Sequence, residues 1–305
     1  MKLSDLLGRD ATDFLNTSWG RTHLHLPGAD PARFKSLVTL EQLDQILSYD
    51  STRPPYLRLF KAGSLIDIDE YTYSASVARQ EVTGLLDQRR LMELFEDGST
   101  IVLDSIHHWI PEVRELCHGL QEELGGTGRA TAFITPPHEF GLELHADAYE
   151  IFVLQIAGSK EWSLYPRLDP IPREGLNLDR ADFADVAPDV VVLREGDLLY
   201  VPWGTPHSVK PIGTLSAHVS IAVNFPTWAD ILSQAVEYLL ADEGLNGAAH
   251  LRPGTEPALA AELKARLDDL AGQISAIDAQ EIAAQFVEYA TYPERRQANT
   301  TLTCH

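Results

Sequence analysis

Two β-like segments of this chain carry side chains of the types that bind metals, and the spacing of these residues strongly restricts the possible folds. The first segment contains His145-Ala146-Asp147, and the second ends at His207, which lies 207 − 145 = 62 residues beyond the first histidine. In a His-x-Asp sequence both side chains project from the same face of a strand and can reach one ion. The distant histidine comes from another strand. The fold must therefore place two separate strands next to each other.

Two imidazoles and one carboxylate form the ligand set that holds one face of an iron(II) octahedron and leaves the opposite positions open. His145, Asp147 and His207 therefore predict an iron(II) site of the non-haem oxygenase kind. A lone His-x-Asp also occurs by chance in many proteins, so the prediction depends on its companions. These companions are the segment 196–207 and a lysine between the two histidines.

That lysine, Lys160, follows His145 by 160 − 145 = 15 residues and ends the apolar run 151–158. A lysine that turns inward from such a run is costly to bury unless it meets an anion. A dicarboxylate cosubstrate would be such an anion. The alternative is a solvent-facing lysine that closes the strand.

Several segments of the chain, spread over residues 14–225, resemble one known family. They are Phe133-Ile134-Thr135-Pro136-Pro137, Leu144-His145-Ala146-Asp147, 152–162, 196–202 and Ser216-Ala217-His218-Val219-Ser220, with a weaker likeness from Phe14 and Trp19 to Leu26-Pro27 and at Gly98-Ser99-Thr100. The family is that of the JmjC-type iron(II) and 2-oxoglutarate dependent oxygenases. Within it, the chain is similar to the cupin-like ribosomal oxygenases, which hydroxylate proteins.

The resemblance implies roles for particular residues. His145, Asp147 and His207 match the iron ligands, and Lys160 matches the residue that pairs with the distal carboxylate of 2-oxoglutarate. Asn224 resembles a polar residue near the cosubstrate in related asparaginyl hydroxylases.

One position departs from the family pattern. Phe133 stands where such enzymes often carry a tyrosine, so we expect Thr131 to take over part of the missing hydroxyl's role. The alternative for Thr131 and Asn224 is an ordinary polar residue that bonds the backbone at a strand end.

The function that the resemblance implies is hydroxylation of an unactivated C–H bond in a peptide or protein side chain, with the β-carbon of histidine or arginine favoured. The reaction would use O2 and 2-oxoglutarate and yield succinate and CO2. Two other classes stay open: a metal-binding cupin module without turnover, and a small-molecule cupin oxygenase or biosynthetic hydroxylase. The first has no need of an anion-binding lysine, so Lys160 argues against it.

The predicted fold is mainly β with flanking helices. Strands expected at 131–135, 150–157, 162–165, 190–193, 197–201 and 216–224, bounded by Gly and Pro, favour a double-stranded β-helix, or jelly roll, over residues 126–226. An α/β cap over residues 1–125 precedes it, and 166–188 is expected as an insertion at the rim. His107 and His108 would point to opposite faces of a strand, whereas His218 is expected to pack beside the site.

Residues 227–305 are expected to be helical, with Thr227 and Asp230 capping a first helix. A second helix is expected from near Thr255, with an apolar seam at Leu259, Leu263, Leu267, Leu270, Ile274 and Ile277. In ribosomal oxygenases a helical segment at this place joins two subunits, so the resemblance implies a homodimer. Packing within one chain is the alternative. The residues 293–305 are too few for the winged-helix domain of that family, which makes a smaller peptide or a biosynthetic intermediate plausible.

Composition limits the partners. With 24 Lys and Arg against 45 Asp and Glu, the formal charge is 24 − 45 = −21. Such a surface repels phosphate backbones, so we expect no nucleic-acid substrate and a neutral or basic one instead. The two cysteines, Cys117 and Cys304, form no disulfide framework or zinc spacing. No signal peptide or membrane span is expected, which predicts a cytoplasmic protein.

Overall fold

The computed structural model of the protein describes residues 1–49, 51–137, 143–240 and 256–291. The chain forms two compact units, Met1–Asn224 and Phe225–His305. The cap and the jelly roll expected from the sequence both lie in the first unit. None of the helices in the described ranges is long and apolar enough to cross a membrane.

The N-terminal part of the first unit mixes short helices and strands. In chain order these are α1 Leu3–Leu7, α2 Thr12–Thr17, β1 Leu24–Leu26, α3 Leu40–Leu47, β2 Leu57–Lys61, β3 Ser64–Leu65, β4 Thr72–Val77, β5 Gln80–Leu86, α4 Gln88–Glu96, β6 Thr100–Leu103 and α5 Pro111–Leu124. Helix α3 begins with a reciprocal cap: Gln42 N donates to Thr39 Oγ1, and Thr39 N donates to Gln42 Oε1. Its residues Leu43 and Ile46 are buried.

The core of the first unit is a set of antiparallel strands. They are β7 Thr127–Thr135, β8 His145–Ala146, β9 Glu150–Leu164, β10 Leu176–Asn177, β11 Asp189–Leu193, β12 Leu198–Val201 and β13 His207–Asn224. In the described part of the chain the main path of hydrogen-bonded neighbours is β1-β12-β9-β13-β7-β6-β2-β3. The cap strands therefore extend the core sheet, and the predicted mainly β architecture with flanking helices is confirmed.

Strands β9 and β13 are long, and each is irregular near its middle. The sequence predicted two strands between residues 150 and 165, but β9 is continuous because Gly158 adopts φ 60° and bends it without ending its pairing. A side chain cannot be accommodated there, since a Cβ atom would lie 2.2 Å from the carbonyl oxygen of Leu215. Strand β13 shifts register between Ile212 and Ala217, opposite this bend. Each strand thus contributes to both ends of the core.

An aromatic cluster joins the cap to the core. The ring of Phe14 lies 4.8 Å from Tyr200 and 5.9 Å from Phe152, and Trp19 stacks on both core rings. The Tyr200 hydroxyl accepts from the backbone N of Gly20 and donates to Glu150 Oε2 at 2.6 Å. Phe14, near which the resemblance noted in the sequence begins, therefore packs on the core sheet.

The second unit is helical, with α6 Trp228–Leu240, α7 Glu256–Ser275 and α8 Ala279–Thr291. The predicted cap of α6 is formed: Thr227 N donates to Asp230 Oδ2, and Asp230 N donates to Thr227 Oγ1. The seam helix ends earlier than predicted. Ile277 lies beyond Ser275, because Asp278 accepts from Gln280 N and so begins the next helix. Residues 293–305 and Thr255 lie outside the described residues.

Candidate functional site

The three residues predicted to bind a metal meet at one end of the jelly roll. Strand pairing sets His207, the first residue of β13, directly opposite His145 in β8, and Asp147 follows β8. Asp147 Oδ2 lies 3.8 Å from His145 Nε2 and 3.6 Å from His207 Nε2. One ligand atom from each residue falls within 4.8 Å of the other two. The separation of 62 residues in the sequence is therefore closed by strand pairing.

Backbone carbonyl groups orient both histidine rings. His145 Nδ1 donates to the carbonyl of Glu143 at 2.7 Å, and His207 Nδ1 donates to the carbonyl of Thr205 at 2.9 Å. These bonds fix the proton on Nδ1 and leave Nε2 free to bind a metal. Burial, reinforced by the nearby His145, lowers the pKa of His207 to about 4. This ring is therefore neutral near pH 7, as metal binding requires.

The triad opens into a cavity of about 180 Å³ with walls from both parts of the first unit. The core supplies Thr131, Phe133, Trp162 and His218 in addition to the triad. The cap supplies Arg58, Phe60 and Asp104. A small molecule or a substrate side chain that enters this cavity would contact residues from the cap as well as the metal-binding strands.

Lys160 lies fully inside the core, where its exposure is 2%. Its Nζ lies 2.8 Å from His218 Nδ1, and none of the carboxylates in the described ranges forms an ion pair with it. Burial lowers the pKa of Lys160 to about 7. The structure therefore buries an amine that has a histidine as a neighbour and, among the described residues, no carboxylate beside it, which is an environment that an anionic ligand would complete.

The remaining two predicted residues have different surroundings. Thr131 lines the cavity, and its hydroxyl donates to Asp104 Oδ1 at 3.2 Å. Asn224 is exposed at the end of β13, paired with Thr127, and it does not line the cavity. The structure therefore brings Thr131 to the metal-binding residues and leaves Asn224 apart from them.

Three further expectations from the sequence concern the surroundings of the triad. His107 and His108 belong to a short 3-10 helix, Ile106–His108, so the expected strand geometry does not apply to them. His218 packs beside the site as expected. The segment 166–188, expected as a rim insertion, contributes β10, whose Asn177 pairs with His145. This insertion therefore borders the metal-binding strand directly.

The sequence did not reveal the cap residues of the cavity. Arg58 in β2 donates to Asp104 Oδ2 at 2.6 Å, and both side chains line the cavity. No motif joins these two positions, because only the pairing of β2 with β6, and of β6 with β7, brings them to the site. The one signal for these positions in the sequence was a charged residue, Asp104, directly after the buried strand β6.

Residues 108–231 match the family model described as JmjC domain. Among curated proteins, the chain is 26% identical over 245 residues to the bifunctional lysine-specific demethylase and histidyl-hydroxylase NO66 of Drosophila persimilis, covering 79% of this chain and 34% of the relative. It is 27% identical over 228 residues to ribosomal oxygenase 1 of Gallus gallus, covering 73% and 36%. The chain thus spans about a third of the length of these relatives.

Solved structures show the same fold. The X-ray structure of Escherichia coli ycfD superimposes with a TM-score of 0.58 at 16% identity, covering 94% of this chain and 72% of the other. The structure of YcfD, a ribosomal oxygenase from Escherichia coli, in complex with cobalt and 2-oxoglutarate gives a TM-score of 0.56 at 17% identity, covering 94% and 72%.

Proposed function

We propose that this chain is an Fe(II) and 2-oxoglutarate dependent oxygenase of the JmjC, ribosomal-oxygenase type, because residues 108–231 match the JmjC domain and the chain is similar to curated ribosomal oxygenases. We propose further that it hydroxylates an unactivated C–H bond of a peptide or protein side chain in the cytoplasm. The observation that carries the proposal is the joint placement of a His-Asp-His cluster and, near it, the buried Lys160, which forms no ion pair with a carboxylate in the described part of the chain. A metal site alone would not require that lysine.

The donor set fits iron(II). His145 and His207 offer neutral nitrogen atoms and Asp147 offers an oxygen, which is the ligand combination of non-haem iron oxygenases. When bound, the iron would couple the oxidative decarboxylation of 2-oxoglutarate by O2 to hydroxylation, with succinate and CO2 as products. The protein orients the two histidine ligands through the backbone carbonyls of Glu143 and Thr205, and it excludes water from the cavity.

The cavity also fits a dicarboxylate. The Lys160 ammonium would pair with the distal carboxylate through a charge-assisted hydrogen bond, which replaces the solvation that the buried cation has lost. Thr131 would serve as a hydroxyl donor near the cosubstrate, although in this structure its hydroxyl bonds Asp104. The likeness to a ribosomal oxygenase structure that holds cobalt and 2-oxoglutarate supports this assignment.

For the substrate we favour the β-carbon of a histidine or arginine side chain. The names of the curated relatives, histidyl-hydroxylase and ribosomal oxygenase, support a protein substrate. The formal charge of −21 favours a basic protein or peptide, because opposite charges raise the rate of encounter. The cap residues of the cavity, Arg58 and Asp104, offer one positive and one negative group for contacts with such a side chain.

Turnover of the cosubstrate without substrate tests the proposed function. Anaerobically reconstituted iron protein, incubated with labelled 2-oxoglutarate and then exposed to O2, is expected to release labelled succinate slowly. Metal binding without succinate would instead support a non-catalytic cupin module or an oxygenase that does not use 2-oxoglutarate. Protein with manganese in place of iron serves as the control, because it should bind the ligand and release no succinate.

We also propose that the second unit joins two copies of this chain. Along α7, Leu263 and Leu267 are 54% and 51% exposed, and Ile274 is 42% exposed. Burial of one large aliphatic side chain contributes about 1.5 to 3 kcal/mol, so leaving this row in water is unfavourable. A two-fold axis would bury the same row from both subunits. The helical segment that pairs subunits in the resembled family supports a homodimer.

Charge placed on this row is expected to disrupt the dimer. Leu263→Glu combined with Leu270→Glu should give monomers or aggregates at micromolar concentration. Light scattering of the wild-type protein should give the mass of two chains. A matched control is Lys264→Glu, since Lys264 lies on the same helix and its side chain is 70% exposed. A wild-type mass near 33.8 kDa across that range would refute the dimer.

A further inference from the structure

Trp162 presents a buried hydrogen-bond donor that has no acceptor. The residue is 2% exposed, and among the described residues its Nε1 has no hydrogen-bond partner. Native proteins pair nearly all buried polar groups, so an unpaired indole N–H in a ligand cavity indicates a group that a ligand satisfies. Because Trp162 lines the cavity that contains the metal-binding triad, such a ligand would lie beside the metal site.

Trp162 lies near the residues that are proposed to bind the two ends of the cosubstrate. Its ring stacks on His207 at 5.3 Å and meets His218 edge-on at 5.6 Å. Lys160 precedes it by two residues in β9, so the two side chains project from the same face of that strand. The indole therefore packs on a candidate metal ligand and lies on the same strand face as the lysine.

His218 is fixed in one orientation next to this lysine. Its ring stacks on Phe133 at 4.7 Å with an interplanar angle of 11°, and its Nδ1 accepts a hydrogen bond from Lys160 Nζ. Because Nδ1 accepts, the proton of the neutral ring lies on Nε2. His218, which lines the cavity, is thus the residue through which the buried lysine head group contacts the cavity wall.

We propose that Trp162 and His218 complete, with Lys160, a carboxylate-binding cradle: Trp162 donates its indole N–H directly to the bound dicarboxylate, and His218 positions the Lys160 ammonium. This inference rests on the proposed function and deepens it, because it assigns two further residues to cosubstrate binding. Trp162 is a direct ligand contact, whereas His218 acts through the lysine.

Binding of 2-oxoglutarate to zinc-loaded protein tests the indole donor without any turnover. Trp162→Phe keeps an aromatic ring against His207 and removes the N–H. Since the variant lacks one hydrogen bond to a charged group, the affinity should fall about 10-fold to 100-fold. Trp109→Phe is the matched control, since Trp109 does not line the cavity, and it should bind 2-oxoglutarate as the wild type does.

A direct signal is available from the wild-type protein. The chain has five tryptophans, and the indole N–H resonance that Trp162→Phe removes identifies Trp162 in an NMR spectrum. This resonance should move downfield when 2-oxoglutarate binds the zinc-loaded protein, because a new acceptor deshields the proton. An unmoved resonance in saturated wild-type protein would overturn the assignment of Trp162 even if the variant failed to fold.

The positioning role of His218 calls for a graded series. His218→Leu removes the acceptor for Lys160, whereas His218→Asn offers an oxygen near the position of Nδ1. We expect weaker 2-oxoglutarate binding in the first variant and partial recovery in the second. In a double-variant cycle with Lys160→Met, the effect of His218→Leu should largely disappear, because there is no longer an ammonium to position.

Two comparisons separate this inference from the proposed function. Wild-type zinc protein that fails to bind 2-oxoglutarate would remove the proposed function itself. Wild-type binding with unchanged affinity in both Trp162→Phe and His218→Leu would remove the cradle and leave the function intact. A 2-oxo acid without a distal carboxylate, 2-oxobutanoate, should be insensitive to His218→Leu, so an equal loss for both ligands would show general damage to the site.

Discussion

Replacement of any one of His145, Asp147 and His207 by alanine is expected to reduce succinate formation below detection. Each variant would leave two protein ligands, and an incomplete set holds iron(II) weakly in the orientation that the reaction needs. The fold should survive, because the core of the first unit is apolar and does not depend on the metal. His207→Ala is expected to lose the most stability, since its ring is buried against Trp162.

Thermal melts with and without metal provide a readout that is independent of activity. A ligand present at a hundred times its dissociation constant stabilises the folded state by about 2.7 kcal/mol, so the metal should raise the melting temperature of the wild-type protein. The three variants should lose this increase. His108→Ala is the matched control, because His108 is exposed and does not line the cavity. A triad variant that forms succinate at the wild-type rate would exclude its residue from the metal site.

Lys160→Met is expected to weaken 2-oxoglutarate binding and to stabilise the protein in the absence of ligand. The loss of a buried charge partner costs about 3 kcal/mol or more, which corresponds to at least about a 100-fold lower affinity. Metal affinity should change little. Calorimetric titration of both ligands distinguishes this result from a general collapse of the site, in which both affinities would fall.

The gain in stability follows from the pKa of Lys160. Burial lowers this pKa to about 7 in the folded protein, below the ordinary value of 10.5, so the unfolded chain binds the proton more tightly. The charge therefore destabilises the fold increasingly as pH falls from 10.5 to about 7, with a cost on the order of a few kcal/mol. Methionine removes that cost. The melting-temperature difference between variant and wild type should be larger near pH 7 than near pH 10.5, and a variant less stable than the wild type at both would contradict the burial argument.

Local signals predicted the local structures well. The caps at Thr39 and Thr227 each depend on a residue three positions away, and the predicted cap at Thr227 formed as expected. The alternation of side chains along a strand likewise predicted that His145 and Asp147 lie on the same side of the chain. Lys160 lies buried at the end of an apolar run. These features depend on neighbours within a few residues, and the sequence contains that information directly.

The sequence was less informative where one local pattern is compatible with two different structures. A glycine inside an apolar run can end a strand or lie within it, and at Gly158 strand β9 continues through a residue with φ 60°. Polar residues at strand ends are equally ambiguous. Thr131 lines the cavity and Asn224 is exposed to solvent, although both lie on paired strands β7 and β13.

By itself, the sequence determined the jelly-roll class and the identity of the metal-binding candidates, because residue chemistry and a period of two are properties of a single strand. Tertiary structure alone decided what surrounds them. The cap residues Arg58 and Asp104, the unpaired N–H of Trp162 and the bond from Lys160 to His218 all arise from strands paired across long separations in sequence. Such contacts depend on register and on where long strands bend, and neither is encoded by any single segment.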